Sequence, residues 1–222
     1  MAGRYMMDSH TGPWASGFVA SAWDRVRSSS WAALLGSAAR RAVKVQHMCV
    51  FAIDAPEEII SIRPKMEVDI SPVCEANVDD VADLRGQAVA GSFHRFLREG
   101  IGVYARARGG VIGHAWATVC LGYREASHTC VELHRGEALI HYTHVDAACR
   151  GKNVYPAMLA ALCTALFADR RIHRVMIDTD QTNIASIRGL TKAGFRPLKR
   201  TFCVQVLRYL VFKWHVHEKV CP

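Results

Sequence analysis

From residue 137 to residue 199 the sequence alternates strand and helix signals without a break. It reads strand EALIHYTHV, turn DAACRGK, apolar helix NVYPAMLAALCTALFA, strand RVMIDTD, then a second helix pattern, NIASIRGLTKAGF. A β-α-β unit of this kind fixes a sheet with a helix crossing one of its faces. At its centre Arg150-Gly151-Lys152-Asn153-Val154-Tyr155 is a basic turn feeding directly into a helix. Such a turn gathers unpaired backbone N–H groups and the positive end of the helix dipole at one spot. That spot suits a phosphate or pyrophosphate, and Arg150 and Lys152 add mobile positive charge beside it.

Upstream of this unit the patterns are those of strands and short helices. KVQHMCVFA (44–52) and residues 66–70 read as strands, and 77–87 and 92–99 as helices, with Asn77 as a fair N-cap. Residues 101–108 and 111–121 flank Gly109-Gly110, a strong hairpin signal. A polar loop over 122–136 leads to the strand HYTHV, and a strand pair closes the chain between 195 and 214. An antiparallel meander followed by a β-α-β unit predicts an α/β fold, a mixed and mostly antiparallel sheet with helices on both faces. Simple alternation puts Leu139, His141, Thr143 and Val145 on one face of HYTHV and Ala138, Ile140, Tyr142 and His144 on the other. That strand turns polar on both faces near the phosphate-binding turn, which is where a cleft would open.

The formal charge of +8 and pI near 9.2 call for a polyanionic partner: nucleic acid, anionic lipid, a phosphorylated cofactor or an acidic carrier protein. The basic residues are scattered, with no aromatic-interleaved stripe, which argues against nucleic acid. Eight cysteines without a C-x-x-C pair, several inside apolar runs, read as reduced, mostly buried thiols of a cytoplasmic protein. Residues 1–60 read as an N-terminal extension of helix plus strand, and 61–222 as the main domain. Over 20–41 tryptophans and arginines share an uneven amphipathic pattern. A helix packed on the domain, a peripheral membrane helix and a targeting presequence all fit it.

VDAACRGKNVY from Val145, NIASIRGLTKAGF from Asn183, FHRFLREG from Phe93 and GGVIGHAWA, in this order and spacing, resemble the GNAT superfamily of acyl-CoA-dependent N-acyltransferases. The resemblance covers roughly residues 66–214 and implies two central strands that splay apart around a pantetheine arm. It implies that Thr143, His144 and Val145 meet the arm and the thioester carbonyl, and that Asn183 lines the arm. Backbone N–H groups of Gly151, Lys152, Asn153, Val154 and Tyr155 would hold the pyrophosphate beside Arg150. The family's loop commonly carries glycine at two positions filled here by Asn153 and Tyr155. Asparagine tolerates the left-handed conformation that glycine supplies, whereas tyrosine has no such property. The tyrosine that many members place seven residues after the asparagine, as proton donor to the departing thiolate, is replaced by Leu190.

The activity implied is transfer of an acetyl or longer acyl group, from a coenzyme A or carrier-protein thioester, to a primary amine by direct attack. The acceptor would be a small amine or a protein amino group, and the donor acetyl-CoA or another acyl-CoA, with no metal. Amine attack needs a proton acceptor. His141 resembles one of the paired histidines of arylalkylamine acetyltransferases, and Asp178 the carboxylate of some protein N-terminal acetyltransferases. Tyr142 reads as substrate-lining. The missing glycines and tyrosine leave a second reading open, a catalytically silent acyl-CoA-binding or regulatory module.

Overall fold

The computed structural model describes residues 43–120, 124–125, 131–206 and 209–216, with side chains over 45–120 and 131–204. The pattern over 20–41 and residues 122, 123 and 126–130 of the loop lie outside the described residues. By compactness the chain divides into two units, 1–44 with 205–211, and 45–204 with 212–222. The account below concerns the second.

Branched and apolar residues make Val43–Ile53 a strand, β1. The next strand, β2 (Asp69–Pro72), begins later than expected, because Met66 and Val68 pack against the core instead of pairing. Its Pro72 lacks an N–H and is tolerated because β2 is an edge strand. The two helices expected over 77–99 are a 3-10 turn (Val78–Val81), a single turn α1 (Ala82–Arg85) and α2 (Gln87–Glu99). Gly86, at φ 83°, breaks the run. Asn77 caps none of them. Its Oδ1 accepts from the Cys74 N–H at 2.8 Å and its Nδ2 donates to the Pro72 carbonyl at 3.1 Å.

β3 (Gly100–Ala107) and β4 (Gly110–Cys120) form the hairpin, turning through Arg108 and Gly109 at φ 50° and 80°. The turn thus sits one residue earlier than the Gly-Gly pair suggests, and Gly110 starts the strand. A two-residue pair, β5 (Arg124–Glu125) and β6 (Glu132–Leu133), precedes β7 (Glu137–Val145). There follow α3 (Val154–Phe167), β8 (Arg174–Asp180), α4 (Ile184–Lys192), β9 (Arg196–Val206) and β10 (Tyr209–Val216). The sheet order is β10-β9-β1-β8-β7-β4-β3-β2. β7 and β8 are parallel, whereas β1–β8, β2–β3, β3–β4 and β4–β7 are antiparallel. The fold is therefore the mixed, mostly antiparallel α/β sheet expected.

Helices cover both faces. The almost uniformly apolar α3 buries Met158, Leu159 and Leu162 with Ile140, Val175 and Ile177 on one side. On the other, α2 sets Phe93 against Tyr104 and Trp116. Among the described residues no helix is long and apolar enough to cross a membrane. Cys49, Cys74, Cys120, Cys149 and Cys163 are not in disulfides, and Cys74 is exposed. Cys203 departs from the expectation of reduced thiols, being disulfide-bonded.

Beneath α2, His114 on β4 is buried (1% exposed), edge-on to Phe93 and stacked between Tyr142 and His144. Burial, with His144 and Arg85 nearby, pushes its pKa down to about 3, against a weaker opposing pull from the Tyr142 backbone. Because the folded state resists a proton that the unfolded chain takes up near pH 6.5, stability falls as pH drops below that value. Between pH 7 and pH 5 this one group costs about 2 kcal/mol. Urea titrations at the two pH values should show that loss in the wild type, and a loss smaller by about that amount in His114→Phe, where other titrations cancel in the difference.

Candidate active site

The parallel pairing of β7 with β8 runs Glu137↔Arg174, Ala138↔Val175, Leu139↔Met176, Ile140↔Ile177 and stops. Both strands continue, β7 to Val145 along β4 and β8 to Asp180 along β1. Their inner edges therefore diverge into an open slot. Leu139 and Met176 share one buried cluster, so the next residues on that face, His141 and Asp178, stand at the mouth of the slot, one on each strand. The register thus brings the two candidate bases to the same level.

Beyond His141 the alternation read from sequence fails. His114 pairs with His144 but Trp116 pairs with His141, so β7 holds an extra residue. Tyr142, at φ 50°, is the bulge. In consequence His141, Tyr142 and His144 all turn towards α2. His141 meets Phe96 edge-on at 5.1 Å, Tyr142 meets Phe93 and Phe96, and His144 stacks on His114. His141 Nε2 lies 3.0 Å from Thr118 Oγ1. His144 Nδ1 accepts from Arg85 at 2.7 Å, and burial, then Arg85 and Arg150, lower its pKa. Tyr142 stays 43% exposed, the open member of this aromatic wall. Asp178 has its pKa raised to about 6 by burial.

On the opposite side of the slot lies a cleft of about 540 Å³. Thr143, His144, Val145, Arg150, Gly151, Asn153, Val154, Tyr155 and Asn183 line it. These are the residues singled out from the sequence, save Lys152, whose Nζ turns back to the Ala148 carbonyl at 3.0 Å. Asn153 takes φ 60°, ψ 18°, the glycine-like conformation, and its side chain makes no cap bond to α3. Instead its Oδ1 accepts from Lys192 Nζ at 3.2 Å. Among the described residues nothing accepts from the N–H groups of Gly151, Lys152, Asn153, Val154 or Tyr155. Arg150 is steered by its Nε donating to the Val145 carbonyl at 3.2 Å. Asn183 caps α4 through the Ser186 N–H at 3.1 Å.

Five further lining residues, Ala185, Ser186, Arg188, Gly189 and Lys192, come from α4. The sequence reading passed over them, although a helical count from Asn183 places 186 and 189–190 on its face. Among the described residues no carboxylate lines the cleft, and no ion pair engages Arg150, Arg188 or Lys192. The residues present thus fit a multiply phosphorylated ligand.

Tyr155 resolves the steric difficulty its size poses. Its ring lies along α4 over Gly189, where an added Cβ would come 2.5 Å from Cδ1 and 2.8 Å from Cε1. The glycine missing from the turn is thus matched by one on the facing helix. The Tyr155 hydroxyl is 3.2 Å from Ser186 Oγ, and the Thr143 side chain lies near enough to influence its ionisation. Burial raises its pKa, and Asp178 adds to the rise. Gly189→Ala should destabilise the protein by about 1–3 kcal/mol, as overpacking does. Tyr155→Ala should relieve most of that cost, which a double-mutant cycle by thermal or chemical denaturation checks.

Residues 122–201 match the family model of the GNAT acetyltransferase domain. No curated protein matches the chain. Among solved structures, a GNAT-family protein from Novosphingobium aromaticivorans superposes at TM-score 0.53 and 15% identity, over 74% of this chain and 66% of that one. An N-acetyltransferase-like protein from Streptococcus suis gives 0.53 and 14%, over 79% and 67%. A GNAT acetyltransferase from Colwellia psychrerythraea gives 0.51 and 14%, over 74% and 56%. The matched region thus spans two thirds or less of the first and last of these relatives. Their likeness is one of fold, and it agrees with the family model in the stretch that holds the splayed strands and the phosphate-type turn. Residues 122–201 are thus similar to the GNAT acetyltransferase domain, and the fold is the one these structures share.

Proposed function

We propose that the protein transfers an acyl group from a coenzyme A thioester to a primary amine. The observation that carries this reading is the slot itself. Two strands held on their outer edges stop pairing with each other past Ile140 and Ile177, and the slot leads to a turn of five unmade N–H groups at the start of α3. An extended pantetheine arm suits the slot, and its pyrophosphate the turn. Bound coenzyme A supplies the activated acyl carbon and a thiol leaving group. Thr143, His144 and Val145 hold the arm beside the bulge, Asn183 borders it, and Arg150, Arg188 and Lys192 neutralise phosphate charge.

The amine enters from the α2 face, past Tyr142. Asp178 is the proton acceptor, since a carboxyl titrating near pH 6 is ionised at neutral pH yet basic enough to take an amine proton. His141, fixed by Thr118, stands across the mouth and orients the amine. The acceptor is a small amine or a protein amino group. The silent-module reading makes the opposite claim, binding without turnover.

Two measurements test this. Arg188→Gln with Lys192→Gln should weaken coenzyme A binding about three- to tenfold by calorimetry, less at high salt, because both side chains are exposed. Transfer to a panel of amines, followed by release of free thiol, should rise with pH through about 6 as Asp178 loses its proton. Asp178→Asn should abolish that limb and lower kcat about 10²–10⁴-fold. An intact limb in that variant, with loss in His141→Ala, would reassign the base. Coenzyme A binding with no amine acylated would support the silent module.

A further inference from the structure

Aminolysis of a thioester leaves a thiolate that must gain a proton, and the position expected to supply one holds Leu190, fully buried in the core beneath α4. The cleft offers three hydroxyls near the bulge: Thr143, Ser186 and Tyr155. Threonine and serine are alcohols, far too weakly acidic to protonate a departing thiolate. A phenol, at about 10, lies within reach of a thiol at about 8.5. Tyr155 is thus the chemically matched donor, and its hydroxyl is where the chemistry needs it. It lies 3.2 Å from Ser186 Oγ on the first turn of α4, with the side chain of Thr143, the residue after the bulge, close enough to influence its ionisation. Its ring rests on Gly189 as on a shelf.

We propose that Tyr155 is the catalytic proton donor to the leaving thiolate, delivered from the first turn of α3 instead of from α4. This rests on the acyltransferase reading given above. As the nitrogen–carbon bond forms, Asp178 takes a proton from the amine. The carbon–sulfur bond breaks and its electron pair goes to sulfur, which takes the Tyr155 hydroxyl proton. The proton held by Asp178 then returns to the phenolate through the Thr143 and Ser186 hydroxyls or water. Amide and free thiol leave, and both side chains are back in their starting states. Asp178 is near enough to Tyr155 to raise its pKa, as this return requires. Burial keeps the phenol protonated until sulfur becomes basic, so the donor is loaded throughout the neutral range.

Tyr155→Phe keeps the ring on its glycine shelf and removes only the hydroxyl. Calorimetry should find coenzyme A bound to it within about threefold of wild type, and circular dichroism should find the fold intact. The thiol of bound coenzyme A, titrated by thiolate absorbance, should ionise about one pH unit higher in the variant, because a hydrogen bond to the thiolate is lost. Transfer from acetyl-CoA should fall about 10²-fold or more, while transfer from an acetyl thioester of an acidic aryl thiol should fall less than about threefold, since that leaving group needs no proton. An equal loss with both donors, or an unshifted bound-thiol titration, overturns the proposal while leaving the acyltransferase reading in place. Failure of the wild type to bind coenzyme A, or to acylate any amine, overturns both.

Discussion

Backbone hydrogen bonding between β7 and β8 ends at Ile140 and Ile177, and the rest of the site follows from that interruption. Buried backbone groups demand partners, so two adjacent strands that part company need a reason and a support. The support is lateral. β4 pairs with β7 as far as Val145, and β1 pairs with β8 as far as Asp180. Each strand is thus held from outside where the pairing between them has stopped. The bulge at Tyr142 adds a residue to β7 just where the pairing stops, and so turns the strand away from its neighbour. β1, which the sequence places in an N-terminal extension, is an interior strand of the sheet and braces the slot.

The same interruption separates two electrostatic environments. On the α3 and α4 side, Arg150, Arg188 and Lys192 face a cleft with no lining carboxylate. On the α2 side the wall is aromatic, and its histidines are kept neutral: His114 by burial, His144 by burial and by Arg85. Asp178 stands between them, and burial alone accounts for most of its raised pKa, since no described basic side chain pairs with it. A carboxylate so placed would gain from a cationic amine approaching over the aromatic rings, which favour cations on their faces. The proposed division of labour, phosphate on one side and amine on the other, needs no moving part.

Much of this was legible in the chain. The β-α-β unit, the hairpin and the turn at Arg150 all rest on local patterns, and local patterns survive folding when nothing in the tertiary structure opposes them. The left-handed Asn153 was legible for the same reason. What alternation could not give was that His144 shares a face with His141, since a bulge shifts the period by one and leaves no mark in a nine-residue strand. Asn77 misled because its side chain serves the turn before the helix as readily as the helix itself. Arg188, Gly189 and Lys192 were legible in principle but had no reason to be chosen until α4 was seen against α3.

Tyr155 shows what a glycine-rich turn requires. Two demands are folded into such glycines, a positive φ and an absence of volume, and they are separable. At position 153 the demand is on φ, and asparagine meets it at 60°. At position 155 the residue is already in the first helical turn, so φ is ordinary and only volume matters. Volume can be surrendered by either wall of a cleft. Here the facing helix gives it up at Gly189, where a Cβ has no room. The exchange moves a side chain into the slot without closing it and brings a hydroxyl to Thr143 and Ser186. A substitution that looks damaging in the turn alone is therefore compensated thirty-four residues away, and the position left without a phenol at Leu190 lies next to the glycine that accommodates the new one.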